Sequence, residues 1–494
     1  MKSSTVNIRE KIRSGGIWTV SIATSGLVLC FARNWFLGRM DTDGSVLGVY
    51  ALVLIFISFI TTFVLYGGAP VLSYYLPKIK DSEKQGSFVM GYFYIILAMM
   101  IIWIYFLFRY PHFFELLFHR KLDTPLTYLL LLITPVVTLN YAANYILTGL
   151  LAYRASAIVQ RIQLIFIAPL AMVFFFVAPQ LLRRHPLAIL GSGVFFSNML
   201  GIIIGIVISR KELTLRLRPW LPRGFWSYSF YIHMNTILTF AYETVDQLFI
   251  AGACDVSRLG VYFQLLTLAQ LVRFLPQEIG RLMVSSFSYL MANDREDVVQ
   301  LLYHKMCKIS ILVTAIPVLI FIFLSREVTA IFGPAFANHH RDLIWLSAIL
   351  NIGALGNINS MLILAKQETK YFFFNSITLI GIQIVLSFLL IRNLGVFGII
   401  LAKGAGILSA QIGLFSIIYF RLPGRRKPDR EYWISQILVT IALLFICQVS
   451  DLALMSRLAV LSVMIISLVV GVGLYPQEIL QMLRQRTLES RPIG

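Results

Sequence analysis

The chain has 494 residues, of which 58% are hydrophobic and only 13% are charged. Soluble globular proteins carry about 45–50% apolar and about 25% charged residues, so this composition excludes a water-soluble fold. Lys and Arg number 42 against 23 Asp and Glu, which gives a formal net charge of +19. In a chain this apolar, the excess reflects where basic residues lie relative to a membrane, and no nucleic-acid partner is expected.

Apolar stretches long enough to cross about 30 Å of hydrocarbon recur from end to end. Each is expected to be a helix, because backbone polar groups in lipid are satisfied only within a helix or a closed barrel. We therefore predict an all-α polytopic membrane protein. Its 14 predicted spans cover approximately residues 15–38, 46–76, 87–108, 125–152, 156–178, 187–209, 225–251, 257–287, 306–325, 342–365, 371–391, 394–420, 433–450 and 456–475.

An internal repeat organises these spans. Residues 43–50 (DGSVLGVY) match residues 255–262 (DVSRLGVY) at six of eight positions, with an offset of 212. A weaker match at nearly the same offset joins residues 189–193 to residues 400–404. Spans one to six therefore repeat as spans seven to twelve, and because six is even the two repeats are parallel. This arrangement predicts two six-helix lobes around a central cleft, followed by two additional helices.

The repeat and the basic residues together predict domains and topology. We expect an N-terminal lobe at residues 1–210, a cytoplasmic linker at 211–224, a C-terminal lobe at 225–421, and a basic loop with two helices and a tail at 422–494. With cytoplasmic N- and C-termini, most Lys and Arg lie on the inner side, as the positive-inside rule requires. The clusters 210–223 and 421–430 are then cytoplasmic.

Ionisable residues inside spans are candidates for function, because burying a charge in lipid is costly. On span eight, Gln270, Arg273, Gln277 and Arg281 share one helical face with an arc of about 80°. On span seven, Tyr228, Asn235, Thr239, Tyr242 and Asp246 share another of about 60°. The remaining ionisable candidates are Arg33, Lys403, Glu243 and Glu278, and Arg161 and Gln163 are weaker candidates.

Structural roles compete with these functional ones. Arg33 and Arg281 lie near span ends, where long side chains can extend to the headgroups. Arg273 and Lys403 lie near mid-depth, where the alternative is a buried ion pair with Asp246 or Glu243 that only locks the lobes together.

One motif suggests an enzyme instead. Asp41-Thr42-Asp43 forms a D-x-D sequence of the kind that binds metal in membrane glycosyltransferases. The predicted loop is only a few residues long, which leaves no room for an acceptor site. Asp43 and Ser45, like Asp255 and Ser257, precede new helices and can cap their free N–H groups. The four cysteines form no metal-ligand spacing, and we expect neither metal nor other cofactor.

Several short motifs resemble those of a known family. In the second lobe they are DQLFI at 246–250, LGVY at 259–262, LPQEIG at 275–280, FSYL at 287–290, IFGPAF at 331–336 and GVFGI at 395–399. In the first lobe they are GGAP at 67–70 and YLPK at 75–78. In order and spacing the chain resembles Wzx-type polysaccharide flippases of the multidrug/oligosaccharidyl-lipid/polysaccharide exporter (MOP) superfamily. Residues 229–233 (SFYIH) lack the proline that the family often has early in span seven.

The resemblance implies a MATE-like fold and a transporter rather than an enzyme. The implied function is translocation of a lipid-diphosphate-linked oligosaccharide, the repeat unit of an O-antigen or exopolysaccharide, across the bacterial plasma (inner) membrane by alternating access. It implies a cationic substrate site at Arg273 and Lys403, with Arg33 and Arg281 as secondary members, and coupling through Asp246. Membrane lipids, a polysaccharide polymerase and a chain-length regulator are implied partners.

Three rival functions remain open at this stage. A multidrug or small-molecule antiporter of the same superfamily handles organic cations, which an excess of Arg and Lys repels. A lipid II flippase shares 14 spans and a cationic cavity, but its Arg-rich first-lobe pattern is missing from this sequence. A membrane glycosyltransferase requires the Asp41 and Asp43 pair for activity, whereas a transporter does not.

Overall fold

A computed structural model describes residues 21–473 except 23, 27, 42, 77–78, 80, 111–123, 151, 215–216, 293–295, 367–368, 422–428 and 449–452. Within these residues the regular secondary structure is entirely helical. The helices are α1 (residues 28–40), α2 (Ser45–Val64), α3 (Gly68–Tyr75), α4 (Ser82–Arg109), α5 (Thr124–Gly149), α6 (Tyr153–Val177), α7 (Pro179–Arg184), α8 (Pro186–Glu212), α9 (Phe225–Ala253), α10 (Val256–Ala292), α11 (Glu296–Ile331), α12 (Pro334–Ala337), α13 (His340–Ile352), α14 (Gly356–Ala365), α15 (Thr369–Arg421), α16 (Asp429–Gln448) and α17 (Leu454–Val472).

Eleven candidate membrane-spanning segments lie among the described helices. One of them, Lys370–Phe420, contains two predicted spans, because α15 bends sharply at Gly395. Gly395 has φ +56°, a left-handed conformation that favours glycine. Predicted spans one and seven lie on α1 and α9, which are not among the eleven candidates. The chain is therefore a multi-pass membrane protein, and the count of 14 spans stays a prediction.

The chain separates into two compact units. Unit 1 contains the described residues of Met1–Gln264 with Ile331–Phe336, and unit 2 contains those of Leu265–Ala330 with Ala337–Gly494. In unit 1, α5, α6 and α8 pack against one another, and Leu147, Ala155 and Val159 form part of their buried core. Because α9 and the start of α10 belong to unit 1, the units do not follow the repeat, and the lobe boundaries predicted at residues 210 and 225 stay a prediction.

The repeated sequence forms a tight contact within unit 1, where the first turns of α2 and α10 meet. A Cβ atom at Gly260 would overlap the carbonyl oxygen of Gly44, and a Cβ atom at Gly48 would overlap that of Val256. The contact is reciprocal: each glycine of one copy lies against the position four residues before its counterpart in the other copy. Because neither glycine has a side chain, the backbones of the two helices come into direct contact, as they do where small residues line the interfaces of membrane helices.

Candidate functional site

The first buried charge of unit 1 is Arg33 on α1, which is only 5% exposed. Its Nε donates to Asn34 Oδ1 at 2.8 Å, and its two terminal nitrogens donate to Tyr50 OH and Cys30 Sγ, each at 3.3 Å. The guanidinium also lies 5.2 Å from the centre of the Tyr50 ring. Arg33 is therefore held inside the unit by polar partners, and we call Arg33 with Tyr50 the Arg33–Tyr50 cluster.

A buried charge of opposite sign in unit 1 is Asp246 on α9, which is fully buried. Its Oδ2 accepts a hydrogen bond from Tyr262 OH at 2.5 Å, and its Oδ1 accepts one from the backbone N–H of Gln247 at 2.9 Å. A hydroxyl donor at this distance stabilises a carboxylate strongly, because hydrogen bonds to ionised groups are shorter and stronger than neutral ones. We call Asp246 with Tyr262 the Asp246–Tyr262 cluster. Glu243, the other proposed coupling residue, is exposed.

The tyrosines of the two clusters are counterparts under the repeat, whereas the charged residues are one position out of register: at the offset of 212, Asp246 corresponds to Asn34, the residue after Arg33. Tyr50 and Tyr262 occupy the last position of the repeated sequence, and both are buried. Arg33 precedes Tyr50 by 17 residues and Asp246 precedes Tyr262 by 16, so each charge lies on the helix before its tyrosine. Both copies therefore contain a buried charge–tyrosine pair, but the charges have opposite sign and lie at adjacent rather than equivalent positions of the repeat. Sequence analysis missed both tyrosines, although their position at the end of the matched octapeptide was a signal that could have identified them.

The other candidates of unit 1 differ in their surroundings. Tyr228 stacks on Tyr74, with ring centres 4.4 Å apart and planes at 23°, and meets Tyr75 edge-on at 5.6 Å. One face of the Tyr228 ring is thus already covered by protein. Asn235 is half-buried, and within the described part of the chain its Oδ1 has no hydrogen-bond partner. Tyr242 is half-buried.

The remaining candidates belong to unit 2. On α10, Gln270 is exposed, whereas Arg273 and Gln277 are half-buried. Lys403, on α15, is only 3% exposed. Arg281 and Glu278 lie on α10, but their side chains are outside the described residues. The predicted polar face of span eight is therefore described at three of its four positions.

The D-x-D aspartates have structural roles at the start of α2. Asp41 is 2% exposed, and its two carboxylate oxygens accept from the backbone N–H groups of Gly44 at 3.0 Å and Leu47 at 2.9 Å. Burial raises the pKa of Asp41 to about 6. The Ser45 hydroxyl and N–H donate to Asp43 Oδ1 at 2.8 and 3.2 Å, and the hydroxyl bond is the main cause of the lowered pKa of Asp43.

These bonds bear on the metal-binding interpretation. Both aspartates bind groups at the helix start, with Asp41 rather than Asp43 reaching furthest into the first turn. In the part of the chain that the structure describes, no group of three or more His, Cys, Asp and Glu side chains is arranged to hold a metal ion.

The helices have the fold of MOP-superfamily transporters. The chain is similar in structure to the lipid II flippase MurJ in an inward closed conformation, with a TM-score of 0.63, 14% identity, and 92% of this chain and 98% of that chain covered. An inward-facing multidrug resistance MATE transporter is similar with a TM-score of 0.61 and 12% identity, and the match covers 83% of this chain and 99% of that chain. A MOP-superfamily transporter from Pyrococcus furiosus is similar with a TM-score of 0.59 and 13% identity, and the match covers 83% of this chain and 95% of that chain.

The family follows from the sequence itself. Residues 44–339 match the family model described as "Polysaccharide biosynthesis protein", and this region is more than half of the chain. The protein belongs to that family, and its resemblance to Wzx-type flippases is confirmed. Among curated protein sequences, none matches the chain.

Proposed function

We propose that the protein is a flippase that moves a lipid-diphosphate-linked oligosaccharide from the inner to the outer leaflet of a bacterial plasma membrane by alternating access. The observation that carries the proposal is the pair of buried charge–tyrosine clusters in a polysaccharide biosynthesis protein with the MOP fold. An anionic substrate and a driving cation need sites of opposite charge, and the two clusters carry one of each.

The Arg33–Tyr50 cluster supplies the cationic part. A sugar diphosphate is too polar to cross hydrocarbon unaided, and a guanidinium offers it several fixed N–H donors in a plane. Tyr50 holds the guanidinium through its hydroxyl and its ring, so the charge is positioned before substrate arrives. The proposed substrate-binding residues of unit 2 are Arg273, Lys403, Arg281, Gln270 and Gln277, and Asn235 is a further one in unit 1. Tyr228 and Tyr242 offer aromatic surface to sugar rings.

The Asp246–Tyr262 cluster supplies the coupling part. A buried carboxylate is a binding group for a proton or a metal cation, and Tyr262 OH stabilises its charged form. Arrival of a proton or cation at Asp246 removes the charge that Tyr262 binds, so the bond weakens and α9 is released from α10. In this scheme Tyr262 positions the carboxylate, and the ion gradient drives the conformational change. Glu243, which is exposed and lies one turn before Asp246 on α9, is the second proposed coupling residue.

The experiment compares leaflets. In cells lacking the protein, we expect lipid-linked oligosaccharide to accumulate on the cytoplasmic side, and the wild-type gene to reverse this. Arg273→Ala and Arg33→Ala should each fail to reverse it while reaching the membrane in normal amount, and Lys at either position should restore only part, because an ammonium lacks the planar fork. Normal export by both Ala variants would contradict the cationic site.

Two rivals are tested in the same cells. A lipid II flippase, as the structural neighbour MurJ is named, would leave cell-wall precursor rather than oligosaccharide on the inner leaflet. A multidrug antiporter would change drug sensitivity and leave both lipids correctly distributed. The buried arginine of the first cluster favours an anionic cargo over organic cations.

A further inference from the structure

Two other helices of unit 1 contact the turn that separates α2 from α3. This turn, which we call the α2–α3 break, contains Gly67 and Gly68, whose φ angles of +82° and +53° are left-handed conformations that favour glycine. The carbonyl oxygen of Leu65 accepts from the Tyr92 hydroxyl on α4 at 2.5 Å and from the backbone N–H of Gly68 at 2.7 Å. The backbone N–H of Gly67 donates to Nδ1 of His233 on α9 at 3.3 Å. An imidazole nitrogen therefore connects the break to α9.

The contact joins two sequence segments that have no part in the proposed function. GGAP at residues 67–70 is one of the family-like motifs, and SFYIH at residues 229–233 stands where the family often has a proline. His233 is the last residue of the second segment and is 7% exposed. The centre of its ring lies 4.8 Å from that of Tyr66 and 6.4 Å from that of Phe63. The imidazole thus packs against the end of α2 as well as bonding to the break.

The hydrogen bond from Gly67 defines the protonation state of His233. A neutral imidazole has one N–H donor and one acceptor nitrogen, whereas a protonated imidazole has two donors and no acceptor. Because Nδ1 accepts from Gly67, the ring in this contact is neutral and carries its proton on Nε2. A second proton would place an N–H group at Nδ1 against the N–H group of Gly67, and neither could accept from the other. The contact and the protonated ring therefore exclude one another.

The other titratable groups around the break are tyrosines. The ring of Tyr66 lies beside His233, and the hydroxyl of Tyr92 bonds to the carbonyl group just before the break. On α5, the ring of Tyr145 lies 3.0 Å from where a Cβ atom of Gly68 would be. The ordinary pKa of a tyrosine hydroxyl is about 10, so these groups stay neutral between about pH 5.5 and 8. A proton that binds at the break in this range therefore binds to His233.

Charged residues lie at a distance from the ring. The helices α2, α3 and α5 contain no Asp, Glu, Lys or Arg. The charged residues of α4 stand near its two ends and are Glu83, Lys84 and Arg109. Those of α9 and of the linker before it are Arg223, Glu243 and Asp246, each ten or more positions from His233, which is at least about 15 Å along a helix. The contact with Gly67, rather than a neighbouring charge, therefore distinguishes the neutral from the protonated ring.

We propose that His233 is a proton-binding site that controls the α2–α3 break. When the ring is neutral, it bonds to Gly67 and connects the break to α9. When the ring binds a proton, this bond is lost and the break opens. A Cβ atom at Gly67 would lie 3.4 Å from the carbonyl oxygen of Ser229, so α9 and the break are in direct contact and a change at one reaches the other. The proposal does not depend on which lipid the protein transports.

Hydrogen exchange at the Gly67 amide measures the opening of the break. The purified full chain in maltoside micelles would be transferred to D2O at a series of pH values between about 5.5 and 8. Deuterium at Gly67 would be followed by mass spectrometry with electron-transfer fragmentation, and each rate would be divided by the intrinsic exchange rate at that pH. An imidazole outside the contact titrates at about pH 6.5. If only the open state binds the proton, the corrected rate should rise about tenfold from about pH 8 to about pH 5.5.

An internal control comes from the turn between α13 and α14 in unit 2. There the backbone N–H of Gly353 donates to the carbonyl oxygen of Leu350 at 3.2 Å, and a carbonyl oxygen does not titrate in this range. The corrected exchange rate of Gly353 should therefore be independent of pH.

Three variants separate the acceptor from the packing of the ring. His233→Gln keeps an oxygen that can accept from Gly67 but does not titrate, so the corrected rate should stay low at every pH. His233→Phe keeps an aromatic ring beside Tyr66 but has no acceptor, so the rate should be high at every pH. His304→Gln changes a half-buried histidine of α11 in unit 2 and should keep the tenfold rise.

Three outcomes would overturn the proposal. They are a wild-type rate at Gly67 that does not change with pH, an equal rise at Gly353, and a tenfold rise that persists in either His233 variant. Loss of the rise in both His233 variants, with the rise retained in His304→Gln, is the expected result.

Discussion

The two charge–tyrosine clusters of unit 1 share equivalent tyrosines of the repeat, yet their charged residues differ in sign, lie one position out of register, and form hydrogen bonds of different length with the tyrosine. Tyr262 donates to a fully buried carboxylate at 2.5 Å, whereas Tyr50 receives a hydrogen bond from Arg33 at 3.3 Å. Arg33 also has Asn34 and Cys30 as partners. The comparison teaches that two copies of a repeat can keep a buried tyrosine in the same place while its charged partner changes sign and shifts by one position. In the proposed function, the arginine of one copy serves the anionic substrate and the aspartate of the other serves the coupling ion.

The largest effect on the free energy of unfolding is expected at the contact between the first turns of α2 and α10. Gly260→Ala places a Cβ atom against the carbonyl oxygen of Gly44 and the amide nitrogen of Gly48, neither of which can move without shifting a helix. We expect a loss of at least about 3 kcal/mol, at the upper end of the range for overpacking. Unfolding in micelles with increasing dodecyl sulfate measures it.

Gly381→Ala is the matched control, because a Cβ atom there meets nothing within 4 Å. In a helix it should be neutral or stabilise the fold by up to about 1 kcal/mol. Equal losses of unfolding free energy in Gly260→Ala and Gly381→Ala would show that the close contact between α2 and α10 does not fix the relative position of the helices that carry the clusters.

A second test exploits a carboxylate found in one copy only. Asp41 binds the first turn of α2, and its counterpart in the second copy is Ala253. The folded-state pKa of Asp41 is about 6, above the ordinary 3.8, so its contribution to stability is present in full below pH 3.8 and is lost as pH rises through 6. Two pKa units correspond to about 3 kcal/mol, which is an upper value for the loss.

The variants separate this carboxylate from its neighbour. Asp41→Asn should remove the decline in unfolding free energy between pH 4 and about 7. Asp43, whose pKa is lowered, should act with the opposite sign, so Asp43→Asn removes stability that is present above the ordinary pKa and lost on acidification. An unchanged pH profile in Asp41→Asn would refute the assignment.

The third test removes the shorter tyrosine bond. Tyr262→Phe leaves the buried Asp246 carboxylate without its hydroxyl donor, and the expected cost is about 1.5–3 kcal/mol, as for hydrogen bonds to charged groups. If the cluster couples the gradient, the variant should also shift the pH dependence of export, and Asp246→Asn should remove it. Export by Asp246→Asn that still follows the gradient would eliminate the coupling role and leave a structural bond.

The smallest effect on the free energy of unfolding is expected at the Arg33–Tyr50 cluster. Tyr50→Phe removes one 3.3 Å bond but keeps the ring beside Arg33, whose other partners remain, so the cost should be about 0.5–1.5 kcal/mol. Export should fall less than in Arg33→Ala. A larger loss of stability in Tyr50→Phe than in Tyr262→Phe would reverse the comparison between the two clusters.

The sequence was sufficient for the fold but only partly for the site. Hydropathy predicts membrane helices, because apolar length and backbone satisfaction leave few alternatives, and the resemblance of the short motifs implies the MOP fold. A helical wheel identifies the face on which Asp246 lies, but it does not identify the neighbour on another helix, so Tyr262 was missed. The same limit applies to Asp41, whose oxygens bind N–H groups three and six residues later through a turn.

The reciprocal glycine contact between α2 and α10 is symmetric. Position 48 meets 256 and position 260 meets 44, so the same patch is used on both sides, as in an isologous interface. Such a contact is the one that a local two-fold axis produces between identical subunits. The first turns of α2 and α10 thus pack within a single polypeptide in the way that two identical subunits pack across a two-fold axis.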